Sequence, residues 1–493
     1  MSMSSTAAEL WSSGYTLSLP LHVELESGKT AVCEEVVRAM PGRRYVCRGR
    51  YADQDVFIKL FSMNRRASNE WRDEQSGIAA LHEVGIAAPE ILYAGVVADI
   101  DTQVVVYAAL PGAESARQRW EQGDEAMRLE VLVDLVELVA QHHAAGLRQS
   151  DLHMLNFLYS DSVLYTLDAS EIHASEQPLS RVESMDGLAD LLALLPVEYD
   201  ELVGDLYNNY WQARGGEASE GEQASLQMTV SKKRRYKHRK YLSKVFRSCT
   251  AFVAVKTWHS FTVYDRSRES DALVSLLADP DNCPEMQDVR MLKDGNTCTV
   301  SEFELDGMRV VSKRYNIKHA WHALRRTLRM TRAARSWINS HRLLRCGIAT
   351  ARPIALREQR FGPMRGRAWL FIEKIEGESL YQYLKRPEKQ DSDEFRVIAQ
   401  AFVPLFEKMV LERISHGDMK AGNFIYYGDT LYMIDLDSMQ AHDDDVSFAR
   451  AFVRDMRRFF KNWQDYPATA AQFHEVLSQT RVAPYLPDVS NVE

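Results

Sequence analysis

Two stretches decide how this chain is read: Asp151-Leu-His-Met-Leu-Asn156-Phe-Leu-Tyr159 and Asp418-Met-Lys-Ala-Gly-Asn423-Phe-Ile-Tyr426. Each runs through a polar turn into a short apolar strand ending on an acid, Leu164-Tyr-Thr-Leu-Asp168 and Leu431-Tyr-Met-Ile-Asp435. In both, Asp to Asn is 5 residues and Asn to the second Asp is 12. From Asn to the second Asp, 6 of 13 positions are identical, where average residue usage gives about one. That excess makes the two halves repeats of one unit.

The repeat extends upstream. Val56-Phe-Ile-Lys59 and Val310-Val-Ser-Lys313 each end a β-like run on lysine. Helical segments follow and close at Gly85-Ile-Ala-Ala-Pro and Gly347-Ile-Ala-Thr-Ala-Arg-Pro. Apolar strands come next, Val104-Val-Val-Tyr107 and Trp369-Leu-Phe-Ile372. Strands, helix, strands, hairpin and a helical remainder predict an α+β fold of two tandem bilobal domains. Residues 213–225 are small and polar and read as a flexible linker. The expected division is a domain at 30–215, a linker at 216–230 and a domain at 231–493.

Asp-x-x-x-x-Asn with an Asp 12 residues further on suits phosphoryl transfer from Mg2+ and ATP. The first Asp orients or deprotonates the acceptor hydroxyl. The Asn and the second Asp supply hard oxygen ligands, and an upstream strand lysine neutralises phosphate. Charge placement dominates this reaction, so these groups must converge on one phosphate chain. A strand lysine alone is usually a solvated edge, and an isolated Asp-x-x-x-x-Asn is usually a turn. The ordered set, occurring twice, carries the reading.

Three segments resemble the lipopolysaccharide core kinase (Kdo/WaaP) family of the protein-kinase-like superfamily. They are Ser415-His-Gly-Asp-Met-Lys-Ala-Gly-Asn-Phe-Ile425, Tyr432-Met-Ile-Asp-Leu-Asp437, and Arg332-Ala-Ala-Arg-Ser-Trp337 leading to Gly347. The resemblance implies ATP-dependent phosphorylation of a sugar hydroxyl, commonly of a heptose, in the lipopolysaccharide inner core. It also implies action at the cytoplasmic side of the inner membrane.

The resemblance makes Asp418 the candidate base, with Lys420 near the γ-phosphate, Asn423 and Asp435 on Mg2+, and Lys313 on the nucleotide. Glu373 falls at the adenine hinge, and Gly295 offers a tight turn over phosphate. Asp437 reads equally as a second acidic support or as a solvated loop carboxylate. In the first half Asp151, Asn156, Asp168 and Lys59 stand at the matching places. Gln149-Ser150-Asp151 replaces His416-Gly417-Asp418, and His153 replaces Lys420. Glu74 suits the helix glutamate that pairs with a kinase lysine, whereas the same offset in the second half gives Ser336. A kinase of small molecules or proteins, or a pseudokinase scaffold, are the competing readings.

Charge separates the halves. Residues 1–230 carry 16 Lys and Arg against 36 Asp and Glu, and residues 231–493 carry 44 against 33. The balances are −20 and +11, so the second half is expected to do the chemistry on an anionic acceptor. Nine Lys and Arg fall within 232–247 and eight within 313–335, with no acid in either. The second cluster reads as an inserted basic helix with Trp321, Leu324 and Leu328 on an apolar stripe. Both clusters are expected beside the second cleft, as contacts for anionic lipid or for the acceptor. RNA fits such clusters too, but no RNA-binding motif accompanies them, so no nucleic acid is expected. Six cysteines without a C-x-x-C pair form no disulfide or zinc framework. The N-terminus does not read as a secretory signal, and no run of about 18 apolar residues occurs. A cytoplasmic protein, peripheral on the inner membrane, is the expectation.

Overall fold

The computed structural model describes residues 7–15, 17–98, 100–316, 329–386 and 393–487. The chain divides into two units, Met1–Leu195 with Tyr199–Arg235, and Pro196–Glu198 with Tyr236–Glu493. Each is α+β and bilobal, with an antiparallel sheet and one helix followed by a mostly helical lobe.

The strand Gln54–Ser62 shows why the first lysine points where it does. Side chains alternate across a strand. Val56, Ile58 and Leu60 pack into one core, Phe57 and Phe61 into another, and Lys59 shares the face of the two phenylalanines. That face meets the helix Arg65–Glu83, which Asn64 caps by accepting from Ala67 N. In the second unit Met308 and Val310 of the strand Met308–Tyr315 take one face. Val311 and Tyr315 take the other, beneath the helix Arg332–Arg345, with Lys313 between them.

The first sheet has six strands, in the order Leu21–Glu24, Thr30–Met40, Arg44–Tyr51, Gln54–Ser62, Thr102–Ala108 and Ile91–Val96. The unit therefore reaches back before residue 30, and Leu10, Val23 and Leu25 belong to its core. The second sheet has seven strands. Two of them, Phe252–Lys256 and Ser260–Asp265, have no counterpart in the repeat and add to the edge beside Pro353–Phe361.

The helical lobes hold the site hairpins. Phe157–Ser160 pairs with Val163–Thr166, and Phe424–Tyr427 with Thr430–Met433. Both hairpins close through two residues of positive φ, Asp161 (48°) and Ser162 (63°), and Gly428 (55°) and Asp429 (58°). That backbone matches the right-handed twist of the strands. Phe424 is buried among Phe402 and Phe459, with ring centroids 4.9 and 6.1 Å away. The residue after Asn423 is thus anchored in the core.

The expected flexible linker is largely helix. Gly215 (φ 76°) ends Val203–Arg214 in the left-handed conformation, and a second helix runs Glu220–Leu242. Good helix formers dominate it, and Leu226, Val230 and Arg234, spaced by four, are buried. Two apolar residues a turn apart were too few to show as a period among polar neighbours. The basic run is also partly structural. Lys233 pairs with Asp186 and Asp190 at 2.8 Å each, and Arg234 donates to Asp200 at 2.9 Å and to the Leu195 carbonyl at 3.0 Å. Lys318, Arg325 and Arg326 of the second basic cluster, with Trp321, Leu324 and Leu328, lie outside the described residues.

Candidate active site

In the second unit Lys313 Nζ lies 3.4 Å from Asp435 Oδ1. Burial pushes the Asp435 carboxyl up, but the Lys313 ammonium, assisted by Lys420, holds it below the ordinary carboxylate range. Asp435 sits in the left-handed region (φ 64°, ψ 56°), as does Asp168 (φ 54°, ψ 55°). Asp tolerates that region better than most residues, at a cost of about 1 kcal/mol. Both units keep this conformation at the acid that ends the hairpin.

Asp418 is reached by two cations. Lys420 Nζ stands 2.6 Å from its Oδ2, and Arg458 Nε 3.7 Å from its Oδ1. The loop beneath is held through the backbone. His416 is buried and kept neutral, its Nε2–H donating to the Ile434 carbonyl at 2.9 Å and its Nδ1 accepting from Asp418 N at 3.3 Å. Asp455, on the helix Asp445–Lys461, accepts from the N–H groups of His416 (2.6 Å) and Gly417 (2.9 Å). Burial pushes the Asp455 carboxyl up to about 6 against those two donors. Gly417 is required: its φ is 80°, and a Cβ would meet the Ser438 carbonyl oxygen at 2.7 Å. Asn423 Nδ2 donates to the Asp418 carbonyl at 2.8 Å, which leaves its Oδ1 as the atom offered to a ligand. Asn423 Oδ1 and the Asp435 carboxylate are a hard-oxygen pair of the kind Mg2+ takes.

The first unit repeats much of this with different residues. Lys59 pairs with buried Glu74, whose Oε1 also accepts from Tyr107 Oη at 2.8 Å. Lys59 Nζ is 3.5 Å from Asp168 Oδ1. Asn156 Nδ2 donates to the Asp151 carbonyl at 2.9 Å. Gln149 Nε2 donates to the Leu167 carbonyl at 3.0 Å, the bond that His416 makes to Ile434 at the matching place. No counterpart of Asp455 receives the Ser150 N–H, which goes to the Glu171 carbonyl at 2.9 Å. His153 caps the following turn, accepting from Leu155 N at 3.2 Å.

Three further positions singled out in the sequence are placed by the structure. Glu373 closes its strand, pairs with Arg268, and gives its N–H to the Arg352 carbonyl; its carboxylate is not among the cleft groups. Gly295 lies in the turn between the strands Gln287–Asp294 and Cys298–Leu305, where a Cβ would stand 3.0 Å from the Cys298 carbonyl oxygen. Asp437 is buried rather than solvated, and Arg332 Nε donates to its Oδ2 at 2.6 Å. Ser336, at the offset of Glu74, exchanges a hydrogen bond with Tyr315 Oη at 3.3 Å. Asp455 had no assigned role in sequence, and Arg332, read there as part of the second basic cluster, is turned to Asp437. The signal for Asp455 was an acid on the aromatic stripe of Phe448, Phe452 and Phe459.

Residues 285–479 match the model of the lipopolysaccharide kinase (Kdo/WaaP) family. No curated protein matches the chain. Similar solved structures include WaaP in complex with acyl carrier protein, at 15% identity and TM-score 0.32, covering 41% of this chain and 89% of that one. Another is the amicoumacin kinase hAmiN in complex with AMP-PNP, Ca2+ and Ami, at 16% identity and TM-score 0.26, covering 43% and 77%. WbdD matches at 16% identity and TM-score 0.31, covering 42% and 51%. The match supports a phosphotransferase acting on hydroxyl groups, with ATP as the implied donor.

Proposed function

We propose that the second unit phosphorylates a sugar hydroxyl of the lipopolysaccharide inner core, a heptose in particular, and that the first unit supports it. The observation that carries this is the convergence of Lys313 with Asp435, and of Lys420 with Asp418, on the loop that Asp455 and His416 hold from behind.

Asp418 accepts the hydroxyl proton as the acceptor oxygen attacks phosphorus. Lys420 sits between that carboxylate and the incoming phosphate, and stabilises charge on the transferring group. Lys313 binds the α- and β-phosphates. Asn423 and Asp435 would hold Mg2+, which neutralises the phosphate chain when bound. No helix among the described residues is long and apolar enough to cross a membrane. Access to a membrane-borne acceptor then falls to the exposed basic residues Lys232, Arg235, Lys240 and Arg247, and the contact is peripheral.

The test is transfer of radiolabelled phosphate from ATP to purified, dephosphorylated core lipopolysaccharide, with mass spectrometry to locate the group. Labelled heptose supports the assignment. Transfer to small molecules or proteins with none to the core would replace it by another kinase activity.

A further inference from the structure

The two clefts differ at one position of the sheet. In the first unit Val46 stands opposite Lys59 and Arg44 opposite Phe61. In the second, Val300 stands opposite Lys313 and Cys298 opposite Tyr315. Arg44 therefore occupies the place of Cys298, at the end of the hairpin turn that overhangs the lysine.

Arg44 is 4% exposed. Its Nη1 lies 3.5 Å from Asp168 Oδ1 and 3.1 Å from Glu70 Oε1. Lys59 Nζ reaches the same Asp168 oxygen at 3.5 Å. The exposed Arg38 joins them in holding the Asp168 carboxyl below the ordinary carboxylate range, against the upward push of burial. Around this point Arg43, Arg44 and Lys59 face Glu70, Glu74 and Asp168, three cations against three carboxylates. The cluster is balanced before any ligand arrives. A divalent cation on Asp168 would lie beside a buried guanidinium and an ammonium, where repulsion is screened little. Mg2+ fits the second cleft, where Asp435 meets Lys313 and no arginine stands at the hairpin turn, and does not fit the first. Arg44 Nε, meanwhile, is buried without a hydrogen-bond partner. A buried guanidinium nitrogen needs an acceptor, and a phosphate oxygen is the acceptor that a cleft of this layout would bring.

We propose that the first cleft binds a nucleoside triphosphate without a divalent cation, with Arg44 supplying at Asp168 the positive charge that a metal ion supplies elsewhere. This rests on the kinase-like layout of the first unit and not on the transfer assigned to the second. The first unit would then hold its nucleotide and leave it untransferred.

The experiment uses the full chain with the second cleft silenced by Lys313→Ala and Asp435→Asn. ATP, inorganic tripolyphosphate and adenosine are titrated calorimetrically, in EDTA and in Mg2+. ATP is expected to bind in EDTA at least as tightly as in Mg2+, and more tightly than tripolyphosphate or adenosine. Arg44→Cys, which copies the second unit, is expected to weaken binding in EDTA at least tenfold. Asp168→Asn is expected to leave ATP binding unchanged or tighter, whereas a metal-holding aspartate would lose it. Circular dichroism melting confirms that each variant is folded, and Asp168→Asn keeps the test open if Arg44→Cys is not. Binding that appears only with Mg2+, loss on Asp168→Asn, or absence of ATP binding in both buffers overturns the proposal. Stronger binding of tripolyphosphate than of ATP overturns the nucleotide and leaves an anion site. Phosphate transfer by the unsilenced chain is read separately, so a failed transfer reading stays distinguishable.

Discussion

Arg332 on the helix Arg332–Arg345 donates its Nε to Oδ2 of buried Asp437, two residues beyond Asp435, at 2.6 Å. The first unit ties its helix to the sheet lysine through Glu74. The second has Ser336 at that offset and ties its helix to the loop that carries Asp435 and Asp437 instead. Arg332 also lies over the Tyr315 ring, 4.9 Å from its centroid. The pair orients the segment that carries Asp435, so Arg332 acts as a positioning residue.

Arg332→Ala should therefore leave Asp437 buried and unpaired. We expect a stability loss of about 1–3 kcal/mol in urea unfolding, the partner being a third exposed and screened. The transfer rate should fall about tenfold or more, carried by kcat, with Arg332→Lys recovering part of it. A merely structural pair would lower stability and leave kcat per folded molecule unchanged.

Acid should weaken the first unit through two buried histidines. His142 Nε2 contacts Thr166 Oγ1 at 3.0 Å, and His143 Nδ1 contacts Tyr210 Oη at 2.7 Å. Burial pushes them down to about 4 and about 3, with His142 adding to the push on His143. Both are neutral when folded, and both charge near their ordinary value of about 6.5 when unfolded. The unfolded chain then binds more protons, so stability falls as pH drops below about 6.5, by up to about 1.4 kcal/mol per histidine per pH unit. Urea midpoints followed from about pH 7 to about pH 5 should decline, and less steeply in His142→Gln/His143→Gln. A wild-type midpoint that stays level contradicts this.

Vesicle binding should depend on the solvated residues of the first basic cluster. Replacing Lys232, Arg235, Lys240 or Arg247 by Gln should lower partitioning onto anionic vesicles about fivefold each, at about 1 kcal/mol per charge. Added salt should weaken binding further. Lys233→Gln should act on stability instead, because its ammonium is committed to Asp186 and Asp190. Equal binding to neutral vesicles would contradict the electrostatic contact.

The fold was legible because the hairpin and its acids repeat at equal spacing, and because Lys59 and Lys313 sit on strands with an apolar residue two places to either side or nearly so. Other features left no such trace. Ser260–Asp265 is buried on both faces, which erases the alternation that marks a strand. Gln149 and His416 fall at matching places, but their unlike side chains gave no sign that they make the same bond. Arg44 carried no signal of its own in the sequence, and its place emerges only from the register that sets it against Cys298. Glu373 was placed by the resemblance at the end of its strand, and its commitment to Arg268 comes from a residue 105 positions earlier in the chain.

The assignment of chemistry to the second unit is tested most directly by Asp418→Asn and Asp151→Asn, assayed with one acceptor, core lipopolysaccharide, and ATP with Mg2+. Removing a positioned base commonly costs about 10²–10⁴ in rate. The account predicts a loss of that size in Asp418→Asn and a rate within about threefold of wild type in Asp151→Asn. Abolished transfer in Asp151→Asn, with Asp418→Asn near wild type, would contradict it and move the chemistry to the first unit.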